Sequence, residues 1–169
     1  MSGKTSARGD PNTSMRSSAS SSKAPNIMIC DAADLQGQIN FGEGCIVHPG
    51  AVIDARGGTI TIGEYNIIEE KARIVNKIRG KDSQGRPVMK EMRIGNCNLF
   101  ESGCTISSSE IGDMNEFCHR SFVEDNCKIA NYCVIGPKVT LSVGTKMANN
   151  VVAYDDGKTM LNEENPNMD

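Results

Sequence analysis

The sequence predicts an all-β fold, a left-handed parallel β-helix of hexapeptide repeats with about six triangular coils and a long loop at one corner. Two patterns carry this prediction. An aliphatic or Phe residue recurs every six positions, and the breaks in that period fall at one point of the repeat. The composition agrees, because 169 residues with 17 Gly, no Trp and 4% aromatic residues suit a narrow core of small aliphatic side chains.

The six-residue period begins at Ile29 and continues to Met147. It is neither a helical period nor simple strand alternation, and it fits a short strand with one inward side chain followed by a turn. Three such hexads close one triangular coil, and successive coils stack as parallel strands. The eighteen inward residues, called anchors below, therefore predict six coils.

Folding the anchors in threes assigns them to three faces of a prism. The first face carries Ile29, Val47, Ile68, Phe100, Phe117 and Ile135. The second face carries Leu35, Ile53, Ile74, Ile106, Val123 and Leu141. The third face carries Phe41, Ile62, Ile94, Ile111, Ile129 and Met147. Every step that departs from six residues then falls between the second and third faces, which predicts one decorated edge and two regular ones.

A column of amides lies four residues after three consecutive anchors of the third face. Its members are Asn66, Asn98 and Asn115. Amides stacked on adjacent coils can hydrogen bond to one another, so we predict a structural ladder. A polar binding pocket built from the same amides is the alternative.

The seven Cys residues form no CxxC pair, and no secretory signal indicates an oxidising compartment. Four of them, Cys45, Cys104, Cys127 and Cys133, occupy a position of the repeat that also holds Ala, Ser and Thr. We therefore interpret them as reduced thiols that act as small core side chains, and we predict no metal site.

Three segments are expected along the chain. Residues 1–25 are Ser-rich and predict a disordered tail, residues 26–152 form the β-helix, and residues 153–169 form an acidic C-terminal tail. No apolar run approaches the roughly 20 residues that span a bilayer, and the N-terminus lacks the order of a signal peptide, so membrane insertion is not expected. The formal charge of −3 gives no reason to expect nucleic-acid binding.

The largest interruption of the period is the insertion at residues 77–93. Its basic residues are Lys77, Arg79, Lys81, Arg86, Lys90 and Arg93, against two acidic ones. We interpret it as a solvated loop on the decorated edge and as a candidate contact for an acidic protein partner. A merely tolerated insertion is the alternative.

Catalysis is the other functional class to consider, because acyltransferases and gamma-class carbonic anhydrases use this architecture. The first rely on a catalytic His and the second on three His ligands to zinc. This chain has only His48 and His119, three coils apart on the first face, which is about 14 Å along the axis. One zinc ion cannot bridge that distance within a subunit. We predict no catalytic, cofactor-binding or metal-binding residues, and a trimeric hexapeptide-repeat enzyme remains the alternative.

Two stretches of the chain resemble the dynactin subunit 6 family over about residues 27–152. The first is IGEYNIIEEKARIVN at Ile62 to Asn76, and the second begins IGNCNLFESGC at Ile94 and continues through EIGDMN at Glu110 to Asn115. The Glu-Glu and Phe-Glu contexts, and the long insertion between the two blocks, are more specific than the hexapeptide anchors that all such β-helices share.

The resemblance implies a non-catalytic structural subunit of the pointed-end complex of dynactin, which supports dynein-driven transport along microtubules. Its implied partners are a second β-helix subunit, a pointed-end actin-related protein and a p62-type subunit. The implied location is cytoplasmic and cytoskeleton-associated, without a cofactor. The chain departs from the family in its Ser-rich leader and in lacking a predicted C-terminal helix, so the last coil is expected to end uncapped.

Overall fold

The computed structural model of this protein describes residues 26–78 and 80–161. The predicted tail at 1–25, the loop residue Arg79 and residues 162–169 of the predicted acidic tail lie outside the described residues. Within the described residues the chain is all β-strand and turn, with no helix. The predicted parallel β-helix is confirmed.

The first face of the prism is a sheet of parallel two- to four-residue strands. In stacking order these are β1 (Met28–Ile29), β3 (Ile46–Val47), β5 (Ile67–Ile68), β8 (Leu99–Phe100), β11 (Glu116–Phe117), β14 (Val134–Ile135) and β17 (Val151–Tyr154). Anchors pair with anchors, as Val47 does with Ile68 and Phe117 with Ile135. The six-residue period therefore gives the correct register.

The second and third faces form one ten-stranded sheet, because two long strands run through the corner between them. In chain order its strands are β2 (Asp34–Phe41), β4 (Val52–Ile62), β6 (Arg73–Val75), β7 (Met92–Ile94), β9 (Thr105–Ile106), β10 (Glu110–Ile111), β12 (Phe122–Val123), β13 (Lys128–Ile129), β15 (Thr140–Leu141) and β16 (Lys146–Met147). The ladder between β2 and β4 shifts register between Gly37 and Ile39, where β4 carries the extra residues of the decorated edge.

The first face holds seven parallel strands, so the prediction of six coils is one coil short. The missing anchor is Ala153, which is fully buried and follows Ile135 in the same ladder. A search for large aliphatic residues passes over an Ala. The end of the chain beyond it also differs from the predicted tail, because β18 (Lys158–Leu161) turns back and pairs antiparallel with β17.

The core is one continuous column of anchors. From the second coil onward every anchor is at most 5% exposed, and Phe100 and Phe117 stack with ring centroids 4.8 Å apart. The four predicted filler thiols are fully buried, and all seven Cys are free. The first coil is different, since its anchors Ile29 and Leu35 are 40% and 37% exposed.

The residues directly after the third-face anchors are all small, and this column has a direct geometric cause. Its members are Gly42, Gly63, Gly95, Gly112, Ala130 and Ala148. A Cβ atom built on Gly95 would lie 2.6 Å from the carbonyl oxygen of Gly112 in the next coil. The backbones of adjacent coils approach too closely here for a larger side chain. This corner, between the third and first faces, therefore fixes the spacing of adjacent coils on the side of the third face opposite to the decorated edge.

Candidate functional site

The insertion at 77–93, called the corner insertion below, contains a compact hairpin. Lys81 and Pro87 form an antiparallel bridge, and the Asp82 amide donates to the Arg86 carbonyl at 2.8 Å. The Asp82 carboxylate accepts from the backbone N–H of Gln84 and of Arg86, at 2.8 and 2.9 Å. A short acidic side chain that binds backbone amides two and four residues later is a common way to close a turn.

The base of the corner insertion is tied to the second coil by Asn76, which is 1% exposed. Its Nδ2 donates to the carbonyl oxygens of Gly58 and Lys90, at 2.9 and 2.6 Å. The Lys90 N–H donates to the Gly57 carbonyl at 3.1 Å, and the Gly57 N–H donates to the Asn76 carbonyl at 2.9 Å. Both ends of the insertion are therefore fixed to Gly57 and Gly58, where β4 passes the corner of the prism, a role for Asn76 that the sequence did not predict.

Each acidic side chain of this region is paired with a nearby arginine. Arg56 binds Asp54 through two side-chain hydrogen bonds of 2.9 and 2.6 Å. These bonds, together with the charge of Arg56, hold the pKa of Asp54 below its ordinary value. Asp82 and Arg86 form an ion pair of 2.8 Å in the hairpin.

Glu91 is paired in the same way. Its carboxylate accepts two hydrogen bonds from Arg93, at 2.9 and 2.7 Å, and one from the Thr61 hydroxyl at 2.9 Å. These hydrogen bonds lower the pKa of Glu91.

The predicted partner-contact residues therefore separate into two groups. Arg86 and Arg93 are exposed but paired within the chain. Lys77, Lys81 and Lys90 are exposed and make no ion pair with any described residue. Arg79 lies outside the described part. The contact role of these residues stays a prediction.

The three amides of the predicted ladder are buried and joined in series. Asn98 Nδ2 donates to Asn66 Oδ1 at 3.0 Å, and Asn115 Nδ2 donates to Asn98 Oδ1 at 3.0 Å. The series ends where Asn115 Oδ1 accepts from the Cys133 N–H at 2.8 Å. With neighbours above and below and exposures of 0–2%, these amides face one another and not an open pocket.

A second ladder runs beside the first and was not predicted. Each member's side-chain oxygen accepts from the backbone N–H of the residue in the coil before it. The acceptors are Asn96, Asp113, Asn131 and Asn149, at donor distances of 2.7–3.0 Å. The signal was present as Asn or Asp at a spacing of 17 or 18 residues.

His48 and His119 lie just after strands β3 and β11, which are three positions apart in the first sheet. The spacing of parallel strands then separates them by about 14 Å, as expected from the repeat. The His119 N–H donates to Glu101 at 2.6 Å. Neither His is part of a cluster of metal-ligating side chains in the described residues.

One cluster of ligand-type side chains lies at an edge of the first face. The ligand atoms of Glu101, Glu116 and Cys118 lie within 4.8 Å of one another, and all three residues are half-buried. Burial, followed by repulsion from Glu101, raises the pKa of Glu116. Burial and the two carboxylates raise the pKa of Cys118 to about 11, which keeps the thiol protonated near neutral pH.

The outward residues of the first face form a mostly apolar row, which the sequence analysis did not single out. Each precedes an anchor. They are Met28, Ile46, Ile67, Leu99, Val134 and Val152, interrupted by Glu116. The matching positions of the third face carry Arg93, Glu110, Lys128 and Lys146, so the first face is the apolar side of the prism. Within the described residues no helix could cross a membrane.

These features define the class: a seven-coil parallel β-helix of hexapeptide repeats with internal amide ladders, a basic corner insertion and one apolar face. No protein-family model matches the chain. Dynactin subunit 6 of Caenorhabditis elegans is 32% identical over 154 residues, covering 91% of this chain and 81% of that protein. The proteins of the same name from Xenopus tropicalis and Nematostella vectensis are 35% and 32% identical, over 78% and 75% of this chain and 66% and 70% of their own lengths. The chain belongs to the dynactin subunit 6 family.

Two solved structures with the same fold are described as transferases. A hexapeptide transferase family protein from Anaplasma phagocytophilum has a TM-score of 0.61 at 14% identity, covering 79% of this chain and 77% of that one. The N-acyltransferase AntD from Bacillus cereus has a TM-score of 0.58 at 11% identity, covering 84% of each chain. At these identities the likeness establishes the fold alone.

Proposed function

We propose that this chain is a non-catalytic structural subunit of dynactin's pointed-end complex and supports dynein-driven, microtubule-based transport through protein–protein contacts. The observation that carries the proposal is the 30–35% identity to dynactin subunit 6 proteins from four animals. The expected partners are a second β-helix subunit, the pointed-end actin-related protein and the p62-type subunit. The expected location is the cytoplasm, in association with the cytoskeleton.

The surface chemistry supports a subunit that binds other chains. The apolar outward row of the first face is flat, because it has one side chain per coil, and Ile67 within it is 36% exposed. Burial of such a row stabilises an interface by about 25 cal/mol per Å². A flat sheet surface matches another flat sheet, so we assign this row to the second β-helix subunit.

The arrangement of the histidines supports a role without catalysis. His48 and His119 are three strands apart, and the Glu101 carboxylate accepts a hydrogen bond from the backbone N–H of His119 and not from its imidazole. The transferases with the same fold share 11–14% identity with this chain and carry no argument about its chemistry.

The test is affinity capture of the full chain from cells, followed by mass spectrometry. The wild-type chain should recover the other dynactin subunits. Ile67→Asp with Val134→Asp should lose the second β-helix subunit, because two charges would enter an apolar interface. Thr105→Asp with Thr140→Asp, at matching outward positions of the second face, is the control. Recovery of no dynactin subunit by the folded wild-type chain would overturn the proposal.

A further inference from the structure

The corner insertion keeps a positive charge after all its internal pairs are made. Its two acidic residues form ion pairs within the insertion, Asp82 with Arg86 and Glu91 with Arg93. Asp54, in the adjacent part of β4, forms an ion pair with Arg56. Among the described residues of the insertion, the positive charge that remains is that of Lys77, Lys81 and Lys90, in a chain whose formal net charge is −3. This edge therefore attracts negative charge from outside the chain.

The lysines lie beside exposed apolar side chains. Lys77 is followed by Ile78, which is 53% exposed, and Lys90 is preceded by Met89, which is 55% exposed. The backbones of Lys77 and Lys90 both lie against β4 at Gly57 and Gly58, since a Cβ on Gly57 would meet the Lys77 carbonyl and one on Gly58 would meet the Lys90 carbonyl. Lys77 with Ile78 and Met89 with Lys90 thus lie at the two ends of the insertion, on either side of β4 at Gly57 and Gly58.

A groove of about 340 Å³ opens at this point, lined by Gly57, Val75, Lys77 and Ile78 among others. Its walls are held by the hydrogen bonds of Asn76, which is buried beneath it. Because the groove and the hairpin are fixed by the fold, a ligand would not have to order them on binding.

We propose that the corner insertion binds an acidic segment of another protein chain. Carboxylates of that segment pair with Lys77, Lys81 and Lys90, and an apolar side chain between them covers Ile78 at the groove. The inference rests on the proposed role as an assembly subunit and adds the chemistry of one partner contact. Charge complementarity selects the occupant: the edge offers cations and apolar surface, and the carboxylates that the structure describes there, Asp54, Asp82 and Glu91, are each paired with an arginine.

The test uses the purified full-length chain and a fluorescein-labelled synthetic peptide of about ten residues, rich in Glu and Asp with a central Leu. Fluorescence polarisation should show binding that weakens about tenfold between roughly 0.1 M and 0.5 M NaCl, because salt screens exposed charges. A peptide with Ser in place of Leu should bind more weakly. The triple variant K77E/K81E/K90E should lose binding by about a hundredfold or more.

The matched control is K71E/K138E/K146E, which makes the same change of net charge at three other exposed lysines. It should bind the peptide within about twofold of the wild-type chain, because these lysines lie away from the corner. Equal loss in both triple variants would show a general effect of net charge and would overturn the inference. So would the absence of peptide binding to the wild-type chain.

Two further arms identify other occupants. Binding to phosphatidylserine vesicles but not to the peptide would assign the edge to a membrane. Tighter peptide binding by a chain that ends at Leu161 would assign it to the acidic residues at 162–169 of the same chain. Either result overturns the inference. Dynactin capture through the apolar first face is a separate measurement, so the inference can fail while the proposed function stands.

Discussion

Single residues at the edge of the first face bring like charges together. Glu69 accepts from the N–H and the hydroxyl of Ser102, both at 2.9 Å, and Glu101 accepts from the His119 N–H in the next coil. These carboxylates satisfy backbone donors at the turns. Glu116 faces Glu101 and forms no ion pair with a basic side chain of the described residues, so its partial burial, together with repulsion between the two carboxylates, raises its pKa.

The variant Glu116→Gln should therefore stabilise the protein near neutral pH. The pKa of Glu116 is raised in the folded state, so its favourable contribution is present below the unfolded value and is lost as pH rises through the folded one. We expect a gain of about 0.5 kcal/mol at about pH 7, kept small by solvent screening. Thermal unfolding at about pH 7 and about pH 4 checks this, and the gain should disappear at the lower pH.

Asn98 is the centre of the buried amide ladder. The variant Asn98→Ala would leave the Asn115 side chain and N–H and the Gly112 carbonyl without their partner, so the free energy of unfolding should fall by about 2–4 kcal/mol. Asn96→Ala, in the exposed second ladder of the same coil, should lower it by only about 0.5–1 kcal/mol. Denaturant unfolding compares them, and equal losses would show that burial of the ladder is unimportant.

Among the secondary-structure elements, strand β4 holds the corner insertion in place through Gly57 and Gly58. The variant Gly58→Ala would place a Cβ against the Lys90 carbonyl at a φ of +138°. We expect the free energy of unfolding to fall by about 2 kcal/mol or more. Hydrogen exchange of residues 77–92 should also rise, because the Asn76 bonds would be displaced.

The control for this prediction is Gly80→Ala. Gly80 has a φ of +153°, similar to that of Gly58, but a Cβ there would meet nothing within 4 Å. Gly80→Ala therefore measures the cost of placing a side chain on this backbone conformation without the steric clash that Gly58→Ala adds. If both variants change the free energy of unfolding and the hydrogen exchange equally, the contact between β4 and the insertion does not hold the insertion in place.

The sequence predicted the elements whose signal is a large apolar residue at a fixed spacing. It placed Phe100 and Phe117 on one face and all irregular steps at one corner, because the core of a repeat must be apolar at every coil. It missed Ala153, whose small side chain is fully buried in the last coil, and Asn76, whose role depends on Gly58, 18 residues earlier in the chain. Contacts created by an insertion have no period, so a periodic pattern cannot reveal them.

In the molecule as a whole, each coil is stabilised by the coils next to it, because coils contact only their neighbours. The first coil has one neighbour and exposed anchors, while the central coils have two. Native-state hydrogen exchange should therefore be about tenfold or more faster at the Met28 and Asp34 amides than at those of Leu99 and Thr105. All four donate to the following coil at 2.9 Å, so hydrogen bonding alone would predict equal rates, and equal rates would contradict the coil-by-coil picture.

The antiparallel strand β18 has a consequence for self-association. Identical prisms with open ends could stack head to tail, and since such a contact does not close on itself, it would grow into a fibre. β18 runs against the direction of the other first-face strands and lies on the edge that a following copy would need. Strand β18, which itself carries Lys158, therefore blocks the parallel pairing of a second copy at the end of the first sheet, and a concentrated solution of the chain should stay free of filaments.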